Sequence, residues 1–290
     1  MRKQSMPQAR QTTAPSGLQW DLSPQALERW TPDLMAAAAA VDNTISILDP
    51  IGQDPWTGEG VTAKRIAAAL RFIGADKDVV VLINSPGGDL FEGMAIYNLL
   101  REHQGSVQVK VLGLAASAAS VIAMAGDEIL IARAGFLMIH NTWVVAIGNQ
   151  HDLRDIADTL KPFDDAMADI YAARAGIKPA KAQAMMDAET WINGSSAVDQ
   201  GFADALLPAD EVKKDKNARA DVVAAHTLDM ALAKAGMPRA ARRALLHEFK
   251  TGTQIAAGPG TQIATDDGTQ IAAEAAQFSD FLNSLTEHQT

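Results

Sequence analysis

The sequence predicts an α/β domain with a largely parallel sheet, and three observations support this prediction. Strand-like and helix-like segments alternate over about 160 residues, as they do in α/β folds. The run DVVVLIN, residues 78–84, is continuously apolar, which is typical of a strand covered on both faces. Glycine-rich turns separate such strands from the helices that follow. The chain has 290 residues, enough for one large domain with extensions.

The elements follow in order from the apolar patterns. Residues 44–52, TISILDPIG, are rich in β-branched residues and predict a first strand. Residues 62–74 predict a helix that Thr62 caps and Gly74 ends. The remaining predicted elements are a helix at 90–103, a strand at 106–114, a helix at 117–126, strands at 127–132 and 136–140, a helix at 151–176 interrupted or kinked near Pro162, and short helices near 180–186 and 195–201.

Composition divides the chain into four regions. Residues 1–43 predict a flexible N-terminal arm or a short helix, residues 44–208 the α/β domain, and residues 209–250 a helical extension. Residues 251–290 predict a flexible linker, because GTQIA recurs at 252, 260 and 268. That linker ends in an amphipathic helix with Phe278, Phe281, Leu282 and Leu285 on one stripe, which folds back on its own domain or binds a partner.

Charge and composition exclude several classes of function. The net charge of −10 argues against a nucleic-acid partner, and the basic group Arg239–Lys250 is more typical of a solvated helix face. The absence of cysteine excludes disulfides and thiol nucleophiles, and no metal site or cofactor is predicted. No signal peptide or phosphate-binding GxxxxGK[ST] loop is present. The apolar run 111–126 is shorter than the roughly 20 residues of a membrane helix, so no membrane span is expected.

The apolar run contains a candidate nucleophile. Ser117 lies where a predicted strand gives way to a helix, so its neighbouring backbone N–H groups are free to stabilise negative charge. Such donors favour a serine nucleophile, because the tetrahedral intermediate carries an oxyanion. The structural alternative is that Ser117 only caps a buried helix.

A second candidate element is the turn INSPGGD, residues 83–89. Its adjacent glycines permit close backbone approach and positive φ. The N–H of Gly88 is therefore a candidate oxyanion donor, with the N–H of Ala118 as the other. By itself such a sequence is equally typical of an ordinary turn.

The candidate base is His140. Of the six histidines it alone terminates an apolar strand, FLMIH, at the kind of strand end where α/β folds place their chemistry. The alternative is a histidine bonded to backbone at the edge of the core. Three residues are candidates for the carboxylate that orients the imidazole, namely Asp187, Glu189 and Asp199. Glu189 has the most favourable local context.

The chain resembles the proteolytic subunits of the Clp proteases over residues 44–207, and more narrowly the Clp-related head maturation proteases of tailed bacteriophages. Four segments carry the resemblance in the same order: LINSPGGDLFEGMAIYNLL, GLAASAASVIAMAG, FLMIH and ETWINGSSAVDQGFADALL. The resemblance implies a crotonase-like stack of ββα units in which the long helix forms a handle that joins rings.

The resemblance also implies roles for particular residues. Ser117 matches the family's nucleophile, His140 its general base, and Gly88 and Ala118 its oxyanion-hole amides. Glu189 falls where the family usually has an aspartate, with Asp187 as the fallback. After His140 this chain has Asn141 and Thr142 where bacterial members have Gln-Pro.

The resemblance implies a serine endopeptidase that forms homo-oligomeric rings. Its expected substrates are capsid, scaffold or portal proteins, cut inside a procapsid in the cytoplasm of a bacterial host. The N-terminal segment does not resemble the loop that docks an unfoldase, so no ATP-driven unfoldase partner is predicted. Three alternatives stay open: an acyl-CoA enzyme of the crotonase fold, a scaffold protein without catalysis, and a serine–lysine peptidase, which the lack of a lysine inside the motifs disfavours.

Overall fold

The structure is a computed structural model that describes most of the chain. Its described residues are 6–8, 19–20, 22–31, 34–36, 42–53, 60–208 and 212–214, with the single residues 228, 232, 237, 242 and 245. All of them belong to one compact unit, Met1–Leu246. The predicted C-terminal linker and helix, 251–290, and most of the predicted extension, 209–250, lie outside the described residues.

The elements alternate between strands and helices along the described chain. In order they are β1 (Gln19–Trp20), α1 (Pro24–Arg29), β2 (Leu34–Ala36), β3 (Thr44–Ile47), β4 (Gly52–Gln53), β5 (Gly60–Val61), α2 (Ala63–Ile73), β6 (Val79–Ser85), α3 (Leu90–Glu102), β7 (Val107–Ala116), α4 (Ala118–Ala123), β8 (Glu128–Ile131), β9 (Phe136–Ile139), β10 (Val144–Val145), α5 (Gln150–Ala175), α6 (Pro179–Asp187), β11 (Thr190–Asn193), α7 (Gly194–Asp199), β12 (Ala205–Leu206) and β13 (Val212–Lys214).

One seven-stranded sheet organises the domain. Strands β3, β6 and β7 are neighbours, and β7 then pairs with β8 along its first half and with β9 along its second half. All of these pairings are parallel, and β11 adds to the edge of β9 as an antiparallel strand. The predicted α/β class with a mainly parallel sheet is therefore confirmed, and the antiparallel strand β11 is an addition that the sequence reasoning did not include.

Local signals account for the helix ends. The Thr62 side chain accepts a hydrogen bond from the N–H of Arg65 at 3.3 Å, and Gly74 ends α2 with φ 110°, as predicted. Helix α5 begins at a capping box formed by Asn149 and Asp152 and ends at Gly176 in the left-handed region. It is continuous through Pro162, so the alternative of an interruption there is wrong.

The sheet interior is apolar on both faces. Six of the seven residues of β6 are buried, as the continuous apolar run predicts. Every residue of α4 is buried as well, which explains the small, uncharged composition of its sequence. The apolar run 111–126 is thus a strand end and a buried helix, and no helix in the described part of the chain is long and apolar enough to cross a membrane.

The N-terminal region contains the short helix α1, packed on the sheet. Ala26, Leu27 and Trp30 are buried in a small cluster with Leu114, Ala116 and Met138 of the sheet. The Trp30 indole N–H also donates to the carbonyl of Asn84 at 2.9 Å. Helix α1 is therefore part of the folded core, because its apolar face and an indole hydrogen bond attach it to the sheet.

In the predicted extension, Arg242 is buried and donates to the carbonyl of Met237, whereas a solvated helix face was expected there.

Candidate active site

The two central candidates, Ser117 and His140, lie in direct contact. The Nε2 atom of His140 is 2.8 Å from the Oγ atom of Ser117. Sheet register brings them together, because β7 runs into Ser117 and its parallel neighbour β9 runs into His140. The Ser117 N–H donates to the carbonyl of Met138 at 2.9 Å, which joins the two strand ends. Both side chains therefore project from the carboxyl edge of the sheet.

Ser117 has an unusual backbone conformation. Its φ of 53° and ψ of −126° lie in a region that a non-glycine residue rarely adopts, at a cost of about 1–3 kcal/mol. It occupies the N-cap position of α4, but its side chain makes no capping hydrogen bond. The alternative that Ser117 only caps a helix is therefore wrong, because its hydroxyl is directed to the imidazole instead.

His140 is suited to accept a proton from Ser117. The side chain is 8% exposed, and burial lowers the pKa of His140 to about 4. The imidazole is therefore neutral at pH 7. When Nε2 accepts from the Ser117 hydroxyl, the ring proton resides on Nδ1, an assignment that follows from the hydrogen bond.

Two glycines after β6 leave room for the nucleophile. A Cβ atom on Gly87 would lie 2.7 Å from the Cβ of Ser117, and one on Gly88 would lie 2.1 Å from the carbonyl oxygen of Ile51. Both have positive φ, 94° and 144°. Only glycine fits at either position, since real side chains never approach so closely. The sequence reasoning selected Gly88 and missed the contact of Gly87 with Ser117, although the adjacent glycines were the available signal.

The candidate oxyanion donors flank the same space. Gly88 forms a parallel bridge with Ile51 that uses the carbonyl of Gly87 and the N–H of Asp89, so the N–H of Gly88 takes no part in it. Ala118 begins α4, and its N–H is one of the first-turn donors that have no acceptor within the helix. The two amides belong to chain segments that meet beside Ser117.

Glu189 and His140 lie at the same end of a strand pair. Thr190 and Ile139 form the last pair of the antiparallel ladder, and Glu189 and His140 are the residues that flank it. Glu189 has φ 47°, the second non-glycine residue with positive φ among those described. Its carboxylate accepts a hydrogen bond from the Gln25 side chain when the Gln25 amide is oriented with its nitrogen toward the carboxylate. Among the described residues, the hydrogen bond of the His140 ring runs to Ser117 and not to a carboxylate.

The other two candidate acids are exposed. Asp187 accepts hydrogen bonds from the side chains of Asn141 at 2.8 Å and Gln183 at 3.2 Å, which hold its pKa below the usual range. Asp199 lies at the end of α7. Of the three candidates, Glu189 is the one that directly precedes the strand paired with β9, whose next residue is His140.

Asp164 is a site neighbour that the sequence reasoning missed. It lies on α5, and its Oδ1 accepts from the N–H of Thr142 at 2.6 Å, two residues beyond His140. Burial raises the pKa of Asp164. The contact anchors the chain that follows the imidazole to the long helix. No sequence pattern marks it, because Asp164 is one of several acidic residues on an amphipathic helix.

Helix α1 reaches the site through two further contacts. The Asn84 side chain donates to the carbonyl of Thr31 at 2.7 Å and accepts from the N–H of Leu114 at 3.1 Å, joining α1 to two strands. The Arg29 guanidinium lies 4.1 Å from the ring centroid of Trp191 in β11. These contacts hold Gln25 beside Glu189, an arrangement that the sequence reasoning did not anticipate.

Comparison with known proteins places this arrangement in a family. The profile of the Clp protease family, described as "Clp protease", matches residues 56–210, just over half of the chain. The chain belongs to the Clp protease family. It is 30% identical over 166 residues to ATP-dependent Clp protease proteolytic subunit 1 of Prochlorococcus marinus (strain MIT 9312), covering 54% of this chain and 85% of the relative. It is also 30% identical over 160 residues to the protein of that name from Synechococcus sp. (strain CC9902), covering 52% and 81%.

The family match contains most of the site. Membership of the Clp protease family supports a serine-type peptidase, and the matched range includes every predicted site residue from Gly88 to Glu189. The match begins at residue 56, so α1 and its Gln25 lie before it. The contact between Gln25 and Glu189 therefore joins a segment outside the family profile to a residue inside it.

Proposed function

We propose that this protein is a serine endopeptidase with Ser117 as nucleophile and His140 as general base. The observation that carries the proposal is the 2.8 Å contact between the Ser117 hydroxyl and a buried, neutral imidazole. A neutral Nε2 accepts the hydroxyl proton as Oγ attacks the carbonyl carbon of a peptide bond. The contact disfavours the alternative of an acyl-CoA enzyme, which has no use for a serine–histidine pair.

The amides of Gly88 and Ala118 receive the charge that this attack creates. As the Oγ–C bond forms, the carbonyl oxygen becomes an oxyanion, and two fixed N–H donors stabilise it. Support comes from the steric requirement for glycine at Gly87, which brings bare backbone against Ser117 and the Ala118 N–H, one residue before the Gly88 N–H. Collapse of the intermediate breaks the C–N bond as the His140 imidazolium protonates the leaving amine. Water then attacks the acyl-enzyme and gives a proton to His140, which passes it to the Ser117 Oγ as the C–Oγ bond breaks and the carboxylic acid is released.

Glu189 is the proposed third member of the catalytic group. Its position supports this role, because Glu189 and His140 flank the last pair of the ladder, and a carboxylate that accepts from Nδ1–H would hold the neutral base in its tautomer. Because Gln25 holds the Glu189 carboxylate, the proposal requires that Glu189 leave Gln25 before it binds the His140 ring. Asp187 is the alternative acid. Glu189→Gln is expected to lower kcat far more than Asp187→Asn, and the reverse result would assign the role to Asp187.

The peptidase is tested with a serine-reactive fluorophosphonate and a denatured protein substrate. The unmodified chain is expected to be labelled and to cleave the substrate, and Ser117→Ala is expected to do neither. Ser195→Ala, an exposed serine on α7, serves as the matched control and is expected to behave like the unmodified chain. Labelling or cleavage by Ser117→Ala would overturn the assignment. If the unmodified chain is neither labelled nor cleaves the substrate, the alternative of a scaffold protein without catalysis is favoured. Among the described residues the His140 ring has no hydrogen bond to a carboxylate, which would agree with that outcome.

The biological setting that we propose is head maturation of a tailed bacteriophage. The four sequence segments that resemble head maturation proteases support it. Capsid, scaffold or portal proteins are the proposed substrates, cut within a procapsid in the cytoplasm of the bacterial host, without an ATP-driven unfoldase. The test is the mass of co-expressed coat protein with Ser117 present and with Ser117→Ala. An unchanged mass in both would remove this setting and leave the peptidase intact.

We also propose that the chain assembles into homo-oligomeric rings joined through α5 as a handle. Apolar side chains near the start of that helix support a contact between copies, since Trp143 is 39%, Ile147 90% and Leu153 45% exposed. Sedimentation velocity is expected to show an oligomer that Ile147→Asp together with Leu153→Asp dissociates. A monomeric unmodified chain would refute this.

A further inference from the structure

A buried chain of hydroxyl groups ends on the backbone of Ser117. The Ser120 hydroxyl lies 2.6 Å from the carbonyl oxygen of Ser117 and 2.7 Å from the hydroxyl of Tyr171. Ser120 and Tyr171 both have 0% exposure. Ser120 is in the first turn of α4 and Tyr171 lies on α5, so the chain links the long helix to the strand–helix junction that holds the nucleophile.

The direction of these hydrogen bonds follows from proton counting. A carbonyl oxygen only accepts, so the single Ser120 proton is donated to Ser117. Ser120 Oγ is then an acceptor toward Tyr171, whose hydroxyl must be the donor. Burial raises the pKa of Tyr171 above its ordinary value, so the donor proton is retained at neutral pH.

The donor is held in a rigid place. The Tyr171 ring packs at a tilt of 58° against the ring of Phe202, with 6.4 Å between centroids. Both rings are essentially fully buried. The Ser117 carbonyl also accepts from the N–H groups of Ser120 at 2.9 Å and Val121 at 3.3 Å, so the hydroxyl provides a third and shortest donor.

The Ser117 carbonyl shares a peptide plane with the N–H of Ala118. In a planar trans peptide the C=O and the N–H point in opposite directions, so fixing one fixes the other. Donors on the carbonyl also polarise the peptide and strengthen its N–H as a donor. The hydroxyl chain therefore acts on the amide that faces the space beside the Ser117 side chain.

We propose that Tyr171 and Ser120 are positioning residues that orient and polarise the Ala118 N–H as an oxyanion donor. The proposal rests on the function proposed above, with Ser117 as nucleophile, and assigns the second serine of the apolar run a role. We call this hydroxyl chain, from Tyr171 through Ser120 to the Ser117 carbonyl, the relay. Because an oxyanion exists only in the transition state, the relay contributes to kcat and leaves substrate binding unchanged.

Tyr171→Phe tests the relay, with Tyr97→Phe as matched control. Tyr97 is also 0% exposed, and its hydroxyl donates one hydrogen bond, to the carbonyl of Pro7 at 2.7 Å. Tyr171→Phe is expected to lower kcat about tenfold at unchanged KM, since it weakens but does not remove a donor. Tyr97→Phe is expected to leave kcat unchanged. Equal kcat in both variants would overturn the relay.

A double-mutant cycle separates the relay from general packing. In a Ser120→Ala background, Tyr171→Phe is expected to lower kcat no further, because the link to Ser117 is already broken. Independent, additive losses would overturn the proposal.

A spectroscopic readout keeps the relay separate from the peptidase. With [15N]alanine labelling, the Ala118 amide resonance is expected to shift in Tyr171→Phe and not in Tyr97→Phe. An unshifted resonance would overturn the relay even in an active enzyme. A shifted resonance in a chain that cleaves nothing would support the relay and overturn only the proposed function.

Discussion

With its nitrogen oriented toward Glu189, the Gln25 side-chain amide donates to the carboxylate of Glu189, which directly precedes β11 as His140 directly follows β9. The acid proposed for the catalytic group is thus engaged by a helix from the N-terminal region. The imidazole keeps the low pKa of a buried histidine without a charged partner.

Removing Gln25 is expected to raise the pKa of His140. In Gln25→Ala the Glu189 carboxylate loses its partner, and an anion beside the imidazole favours the protonated form. The rate of fluorophosphonate labelling of Ser117 is expected to fall at acid pH as His140 becomes protonated. The midpoint of this acid limb of the pH profile is expected near pH 4 in the unmodified chain and at higher pH in Gln25→Ala. Gln104→Ala, at an exposed glutamine after α3, is the control and should leave the limb unmoved. Coincident profiles for all three would contradict this.

His140 is expected to make the fold sensitive to acid. Its pKa is about 4 in the folded chain against 6.5 in the unfolded chain, so the unfolded state binds more protons between these values. Stability is lost as pH falls from 6.5 toward 4, and the loss approaches about 3 kcal/mol. Urea unfolding at pH 7, 5 and 4 should show that the free energy of unfolding falls less with acid in His140→Gln than in the unmodified chain. His151→Gln, at an exposed histidine in α5, should retain the full loss, and a loss unchanged by His140→Gln would refute the assignment.

Gly87→Ala is expected to displace the nucleophile. The new methyl group would lie 2.6 Å from the carbonyl of Ala116 and 2.7 Å from the Cβ of Ser117, so backbone must move. A shift of this kind is expected to cost about a hundredfold in kcat. Gly176→Ala is the control, because Gly176 also has positive φ, 65°, with no atom within 4 Å of the added methyl. It should lose about 1 kcal/mol of stability and no activity. Full activity of Gly87→Ala would show that the turn adapts.

Asp164→Ala is expected to lower kcat about tenfold, since the segment after His140 loses its anchor on α5. Asp164→Asn should restore most of the activity, because its amide oxygen still accepts from the Thr142 N–H. Asp165→Ala is the neighbouring control: it breaks an exposed ion pair with Lys161, and such surface pairs contribute little to stability. If Asp164→Ala and Asp165→Ala had equal kcat, the anchor would have no bearing on catalysis.

The sequence predicted the elements that position Ser117 and His140 because their signals are local. A continuous apolar run marks β6, paired glycines mark the turn after it, and a serine at a strand–helix junction marks the start of α4. A single histidine at a strand end completed the pair, and parallel topology then implied that both reach the same sheet edge. The strand β11 was missed, since its four residues form an edge strand with only Ile192 buried.

By itself the sequence determined the α/β class, the order of the central strands and of the helices between them, and the serine, histidine and glycines that meet at one edge of the sheet. Tertiary structure alone decided that Gln25 binds Glu189 and that Tyr171 reaches Ser117 through Ser120. These contacts join residues far apart in the chain, such as Tyr171 and Ser120, separated by 51 positions. Periodicity and capping report only neighbours within a few residues, whereas the partner of a buried polar side chain depends on which elements pack against it.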